Sequence, residues 1–211
     1  MKTNCVITIG RQFGSGGRYV GRMLAEKLGI PFYDKELLSE AAKQSGICEE
    51  IFEDHDEKPT RSLLFNLVTG MQVHGDAGSY YMDMPLNHKI FLAQFDAIRS
   101  IADKGPCVII GRCGDYILRE YDNVFRVFIH ANKEARIKRI LSKGLCDEKK
   151  VSDFITKRDK QRANYYNFYS NKRWDDLSNY HLTIDSSEFD IDEVAEIIIT
   201  AIGKIKPPAK K

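Results

Sequence analysis

A short run of β-branched residues that ends in a cluster of glycines constrains the fold more than any other feature of this sequence. The apolar run covers Cys5–Ile9, and glycines recur from Gly10 to Gly17. Beyond them, Val20, Leu24 and Leu28 occupy every fourth position, which is typical of one face of a helix. The pattern predicts a buried strand that enters a glycine-rich turn, followed directly by a helix.

The same alternation of strand and helix signals continues along the chain. Pro31–Asp34 predicts a second short strand, and an amphipathic segment follows from Lys35 to about Gln44. Further strands are predicted at Cys107–Ile110, Val124–Ile129 and Tyr180–Ile184, and a closing helix at Ile191–Ile202. Alternating strands and helices favour an α/β fold in three layers, with a parallel sheet covered by helices on both faces.

Length and composition limit the class of protein. A chain of 211 residues with 43% hydrophobic content can bury one sizeable core, so residues 1–211 are predicted to form a single domain. The formal net charge of +2 argues against a dedicated nucleic-acid-coating protein. The five cysteines form no C-x-x-C pair, and no apolar stretch has the length of a signal peptide or a membrane span. We therefore expect a cytoplasmic protein with a small-molecule substrate, no nucleic-acid partner and no membrane contact. The composition indicates no oligomeric state.

Two stretches of uneven charge interrupt the alternation. Residues 49–57 hold six acidic residues and no lysine or arginine, and a segment with several glycines follows up to Pro85. This predicts an insertion at about 45–88. Residues 133–173 carry thirteen Lys or Arg against five Asp or Glu, a local excess of +8, and about 143–175 is expected to form a distinct basic region.

The glycine-rich loop predicts a phosphate site, because unpaired N–H groups and the helix dipole converge at a helix N-terminus. The residues expected to bind there are Gly14, Ser15, Gly16, Gly17, Arg18 and Tyr19. The loop lacks the lysine of the G-x-x-x-x-G-K-[ST] pattern. In one register Arg18 replaces that lysine, and Tyr19 stands where a magnesium-binding Ser or Thr would be. In the other register Gly17 replaces the lysine, and the cation must come from elsewhere. A plain glycine turn is the structural alternative.

Polar residues follow two of the predicted strands. Arg112 and Asp115 come after Cys107–Ile110, and Asp34 ends the strand before it along the chain. Because the carboxyl ends of parallel strands face one ligand crevice, these side chains should point toward whatever the loop holds. Arg112 and Asp115 are expected to clamp the substrate phosphate, and Asp34 to organise the substrate or a magnesium-bound water. A structural ion pair for Arg112 and a helix N-cap for Asp34 are the alternatives.

Arginines at helical spacing concentrate in the basic stretch. Arg136 and Arg139 are three residues apart, and Arg158 and Arg162 are four apart. Such side chains can neutralise the charge on a transferring phosphoryl group, with Arg158 and Arg162 in catalysis and Arg136 and Arg139 on the nucleotide. A solvated helix face is the alternative for each. Aromatic residues nearby either stack a base or anchor a helix: Tyr165, Tyr166, Phe168, Tyr169 and Trp174.

Four blocks of the sequence resemble the cytidylate kinase-like family. They are RQFGSGGR at 11–18, LAEKLGIPFYD at 24–34, Gly111-Arg112, and NYHL at 179–182. The resemblance spans nearly the whole chain and implies a P-loop NTPase fold with an NMP-binding-type insertion and a lid. It also implies ATP as phosphoryl donor, Mg²⁺, and a monophosphate acceptor, with CMP or dCMP as the first candidate. By the same resemblance, Arg112 matches the arginine that holds the acceptor nucleotide.

The chain departs from the family's pattern at the acceptor contacts. Cys113 replaces the acid of the Gly-Arg-Asp segment. In the R-D-x-x-D-x-x-R pattern that begins at Arg158, Arg162 replaces the second acid and Tyr165 the last arginine. The leading hypothesis is an ATP-dependent kinase of a small phosphorylated acceptor. A kinase of a non-nucleotide metabolite and a nucleotide-binding regulatory module without catalysis are the alternatives.

The first prediction is that the loop Gly14–Arg18 binds phosphate or sulfate, since its amide groups lie at the start of a helix. A crystal soaked in sulfate or ATP should show an anion at these amides. An anion bound elsewhere, with this loop empty, would contradict the prediction.

Overall fold

A parallel sheet forms the centre of the computed structural model, which describes residues 3–34, 36–46, 51 and 85–204. Its five strands in chain order are β1 (Val6–Arg11), β2 (Phe32–Tyr33), β3 (Val108–Ile110), β4 (Val124–His130) and β5 (Leu182–Asp185). Their order across the sheet is β2-β3-β1-β4-β5, and every neighbouring pair is parallel. The first strand of the chain is therefore the central one.

The strands predicted from the sequence are confirmed, and β1 is longer than predicted. It continues to Arg11 rather than ending at Ile9, because Gly10 and Arg11 pair with Phe128 and Ile129 of β4. The glycine-rich loop thus starts beside the carboxyl end of β4.

Helices cover both faces of the sheet. They are α1 (Gly17–Leu28), α2 (Glu36–Ser45), α3 (Leu86–Asp103), α4 (Gly114–Ile117), α5 (Lys133–Leu141), α6 (Glu148–Ser170) and α7 (Ile191–Lys204), with a short 3-10 turn at Leu177–Asn179. On one face, α1 and α7 pack against Ile7 and Ile9 of β1. On the other face, α3 and α6 share a core with Val6 and Ile109. These three layers confirm the predicted α/β class.

The position of α1 depends on close contact with the sheet. A Cβ atom at Gly21 would lie 2.6 Å from Ile110 Cδ1 and 3.2 Å from Ile9 Cδ1, so only glycine allows this approach. The helix ends at Gly29, whose φ of 65° is left-handed and whose N–H bonds the last carbonyls of the helix. The N-terminus of α1 is thereby fixed next to the end of β1.

The basic region forms α5 and α6. The two helices bury Ile140, Val151 and Ile155 in a small cluster of their own, and Phe13 of the glycine-rich loop packs against that cluster. This part of the chain is therefore in direct contact with the loop.

Aromatic side chains anchor the C-terminal half of α6 to α3. The Tyr169 ring stacks on Phe91 with centroids 3.9 Å apart, and Tyr165 Oη donates to Gln94 Oε1 at 2.8 Å. Three members of the aromatic run are buried, namely Tyr165, Tyr166 and Trp174, whereas Phe168 is exposed. For the buried ones the anchoring interpretation is confirmed.

One sequence prediction lies largely outside the described residues. This is the insertion at about 45–88, with its acidic stretch at 49–57. A search of the described helices finds none that is both long enough and apolar enough to cross a membrane.

The partly buried side chain of Asp115 lies where α4 meets α6. Tyr166 Oη donates to Asp115 Oδ2 at 2.6 Å. Burial raises the pKa of Asp115 above its ordinary value of 3.8, and the hydrogen bond from Tyr166 opposes part of that rise. Burial and the neighbouring Asp115 carboxylate also raise the pKa of Tyr166, so this hydroxyl remains a donor at neutral pH. The folded state thus binds a proton at Asp115 more tightly than the unfolded chain does.

Replacing Asp115 with Asn should flatten the pH dependence of stability. The amide keeps an oxygen that accepts from Tyr166 and has no charge to desolvate. The contribution of Asp115 to the parent's free energy of unfolding should fall as the pH rises from 3.8 through its raised pKa, because at this group the folded state binds more protons. Urea unfolding across this range measures the effect. The control is Asp122→Asn, at an exposed carboxyl, which should follow the parent. Parallel curves for Asp115→Asn and the parent would contradict the prediction.

Candidate active site

The loop between β1 and α1 presents N–H groups that find no acceptor among the described residues. Gly14 and Gly16 have φ values of 81° and 84°, a left-handed conformation that favours glycine, and Gly16 is the N-cap of α1. Within the part of the chain that the structure describes, no acceptor contacts the backbone N–H of Gly14, Gly16 or Arg18. The N–H of Gly17 has a long contact of 3.4 Å to Ser15 Oγ. Amides so arranged at a helix N-terminus form an anion site.

Arginines of α5 and α6 donate to the carbonyl groups of the same loop. The pairs are Arg162 Nη1 with the Arg11 carbonyl at 3.1 Å, Arg136 Nη1 with the Phe13 carbonyl at 3.4 Å, and Arg139 Nη1 with the Ser15 carbonyl at 3.3 Å. Hydrogen bonds from charged donors are stronger than neutral ones. They hold alternate carbonyls of the loop toward the basic region.

Ser186, just after β5, completes the support of the loop. Its hydroxyl lies 2.7 Å from the Ser15 carbonyl and 3.0 Å from the His130 carbonyl. Arg139 contacts the Ser186 hydroxyl at 3.3 Å and also the Ser186 carbonyl. Ser15 and Ser186 are both fully buried, so water does not compete for these contacts.

Phe13 and Asp159 join the loop to α6. The N–H of Phe13 donates to Asp159 Oδ1 at 2.7 Å, and Asp159 forms an ion pair with Arg136. The Phe13 ring meets Phe154 edge-on, with centroids 5.3 Å apart. The guanidinium of Arg158 lies over both rings, at 5.3 Å from Phe154 and 5.9 Å from Phe13. The arginines of the basic region therefore contact the protein's own loop.

Asp34, which follows β2, lies between Arg18 of α1 and Arg112, which follows β3. Its Oδ2 is 2.6 Å from Arg18 Nε, and its Oδ1 is 3.4 Å from Arg112 Nη1. The structure thus brings together Asp34 and Arg112, two of the three strand-end residues that the sequence grouped. Arg112 is 2% exposed and also donates to the Ile110 carbonyl at 3.2 Å, which matches the ion-pair alternative. Arg18 directs its guanidinium to Asp34, although it was expected to replace the loop lysine.

Two other predicted site residues have partners of their own. Asp115 accepts from Tyr166 instead of pointing toward the loop. Tyr19, placed in one register at the magnesium position, is exposed on α1, with Lys143 Nζ 3.6 Å from its ring centroid. Lys143, by hydrogen bond and charge, lowers the pKa of the Tyr19 hydroxyl. Neither side chain contacts the loop amides in this structure.

Sequence reasoning missed two residues that shape the loop. Ser186 follows β5, so the strand-end rule that singled out Asp34 would also have found it. The aliphatic part of Arg11 fills the space beside Gly17, where a Cβ atom would lie 2.7 Å from Arg11 Cβ. The alternation of side chains along β1 could have indicated this contact, because Arg11 shares a face with Ile7 and Ile9.

No cluster of protein side chains offers a ready metal site in the described ranges. Groups of three or more His, Cys, Asp or Glu side chains that could hold an ion are absent there. Asp34 and Asp159 are the carboxylates that contact the site arginines in ion pairs reported above.

Comparison with known proteins extends these observations. The family model described as the cytidylate kinase-like family matches residues 6–188. A cytidylate kinase of Methanosarcina barkeri is 28% identical over 96% of this chain and 98% of its own. A cytidylate kinase of Archaeoglobus fulgidus is 26% identical over 97% of this chain and 99% of its own.

Solved structures show the same fold. The crystal structure of an uncharacterized protein from Eubacterium ventriosum is 32% identical, with a TM-score of 0.70 over 95% of this chain and 99% of that one. Shikimate kinase from Bacteroides thetaiotaomicron, at 12% identity and a TM-score of 0.51 over 95% of this chain and 99% of its own, shares the fold alone. Because the family model matches residues 6–188, this chain belongs to the cytidylate kinase-like family, and it is a phosphotransferase of the nucleoside-monophosphate kinase type.

Proposed function

We propose that this protein transfers the γ-phosphoryl group of ATP to a small phosphorylated acceptor, with CMP or dCMP as the first candidate. The observation that carries the proposal is a set of N–H groups at the N-terminus of α1, those of Gly14, Gly16 and Arg18, which no acceptor in the described part of the chain contacts. Backbone amides aimed at one point beside a helix dipole bind phosphate oxygens.

On the donor side, the loop amides hold the β- and γ-phosphates. An oxygen of the acceptor phosphate attacks the γ-phosphorus, the bond from that phosphorus to the bridging oxygen breaks, and ADP leaves with the electron pair. Positioning and positive charge lower the barrier of such a transfer. In this proposal Arg136, Arg139 and Arg162 act through the loop, because each donates to one of its carbonyls.

On the acceptor side, we assign Arg18, Asp34 and Arg112. The side chain of Arg18 is 48% exposed, so it can reach a bound phosphate, whereas that of Arg112 is 1% exposed. Arg112 then fixes Asp34, and Asp34 orients Arg18. Because the Arg18 amide belongs to the loop and its guanidinium to the acceptor side, this residue links the two substrates. Asp115 has a positioning role, through Tyr166 on α6.

Mg²⁺ is proposed to enter with ATP. This ion keeps several waters and binds proteins through one or two carboxylates and substrate phosphates. Asp34 is the carboxylate that we propose orders the metal-bound water. The ion supplies positive charge at the transferring phosphoryl group.

We further propose that about 143–175 acts as a lid over the donor and that about 45–88 serves the acceptor. Aromatic contacts of Tyr165 and Tyr169 tie the C-terminal half of α6 to α3. Closure would therefore be confined to the part of the lid that precedes them. Arg158, exposed over the Phe13 and Phe154 rings, is the lid arginine best placed to reach the transferring group.

A kinase of a non-nucleotide phosphorylated metabolite is the second candidate. Two observations favour it. Cys113, where the family's pattern has an acid, is 3% exposed and has a left-handed φ of 56°. Tyr165, where the pattern has an arginine, is buried and bonded to Gln94. Neither residue can contact an acceptor as the family's acid and arginine would.

The proposal is tested by measuring ADP formation from ATP and Mg²⁺ against a panel of ribo- and deoxynucleoside monophosphates and non-nucleotide phosphate esters. CMP or dCMP should give the highest kcat/KM. Turnover only with other phosphorylated compounds would favour the second candidate. Tight binding of an ATP analogue without turnover of any acceptor would mean that the chain is a nucleotide-binding module.

Variants at the acceptor side give a sharper prediction. Arg18→Met and Asp34→Asn should each raise the KM for the acceptor roughly 30-fold, because a charge-assisted contact is lost. This factor corresponds to about 2 kcal/mol of binding free energy. The affinity for an ATP analogue should change little, since the backbone amides remain. The matched control is Arg22→Met on the same helix, whose guanidinium lies 5.5 Å from the Phe32 ring. Equal losses of ATP and acceptor binding would contradict the assignment.

A further inference from the structure

In one of the two registers, this loop has no side chain where the general G-x-x-x-x-G-K-[ST] pattern has its lysine. Gly17 is the first residue of α1 and follows Gly16 as G-K follows in G-x-x-x-x-G-K. The φ of Gly17 is not left-handed, so its backbone would accept any L residue. Space is what excludes a side chain there. A Cβ atom would lie 2.7 Å from Arg11 Cβ and 3.3 Å from Arg11 Cγ.

The Cβ and Cγ atoms of Arg11 therefore occupy the space that a side chain at Gly17 would need. It is the last residue of β1, fixed in register opposite Ile129 of β4. Its carbonyl accepts from Arg162 Nη1 at 3.1 Å. The backbone of Arg11 is thus fixed by β4 and by Arg162. Its side chain begins next to Gly17, the first residue of α1.

The guanidinium groups of other arginines around the loop contact Asp34 (Arg18 and Arg112), Asp159 and the Phe13 carbonyl (Arg136), and the Ser15 carbonyl with Ser186 (Arg139). Arg11 differs from them because its stem lies against the helix N-terminus itself. No acidic residue occupies the first turn of α1. A cation next to the positive end of a helix is stabilised when an anion shares the site.

We infer that Arg11 supplies, from strand β1, the cation that a lysine at the first residue of α1 supplies in the usual loop. This rests on the proposed function. The guanidinium contacts the β- and γ-phosphate oxygens held by the loop amides, as a planar fork rather than a point charge. Gly17 is glycine because the Arg11 stem needs its space. The cation can therefore move from position 11 to position 17 only if both residues are changed together.

The test is a reciprocal exchange. Arg11→Met keeps an aliphatic stem beside Gly17 and removes the charge, so kcat should fall on the order of 10²-fold and ATP-analogue affinity on the order of 10-fold. Gly17→Lys alone should also lose activity, since its Cβ meets the Arg11 stem. The double variant Arg11→Gly with Gly17→Lys removes both Arg11 atoms that the new side chain would meet and returns a cation, so it should exceed both single variants in kcat and in ATP-analogue affinity.

Arg22→Met on the same helix is the control and should match the parent in both measurements. Thermal melting of each variant shows whether it is folded. The inference is overturned if Arg11→Met behaves as Arg22→Met does, or if the folded double variant is no better than Gly17→Lys. A parent that binds neither an ATP analogue nor pyrophosphate would instead overturn the proposed function, and this inference with it.

Discussion

The hydrogen bonds from arginine side chains to the carbonyl groups of the glycine-rich loop are the interactions on which the rest of the site depends. A loop with glycines at two left-handed positions has many conformations open to it when isolated. Three arginines that hold the carbonyls of Arg11, Phe13 and Ser15 remove most of that freedom. The amide groups are then set before any ligand arrives, which is the preorganisation that a phosphate site requires.

Positive charge in this protein is used in two different ways. Arg112 and Arg136 are largely buried, Arg139 is partly buried, and all three bond to protein groups, so they shape the site. The side chain of Arg18 is half exposed and can respond to a substrate. A net charge of only +2 conceals this arrangement, because acidic residues elsewhere in the sequence balance the arginines. Local charge, rather than total charge, determines what the loop can bind.

The fold was largely predictable from the sequence, and the site only in part. Short β-branched runs and a helical repeat after the glycines gave the strands and α1, and the strand-end rule grouped Asp34 with Arg112. The contacts of Arg136 and Arg162 join residues more than a hundred positions apart, and on a helix such arginines look the same whether they are solvated or bonded to a carbonyl. Asp115 differs from prediction because α4 turns its carboxylate toward Tyr166.

The position of the Phe13 ring determines which segments unfold locally together with the glycine-rich loop. Because this ring belongs to the α5–α6 cluster, the loop cannot leave its conformation without losing apolar contacts with Phe154 and its neighbours. The loop and the hairpin that α5 and α6 form are therefore expected to unfold locally as one cooperative unit, which native-state hydrogen exchange can detect. Their amides should become accessible in a single opening event, and a ligand that protects the loop should slow exchange along the hairpin as well.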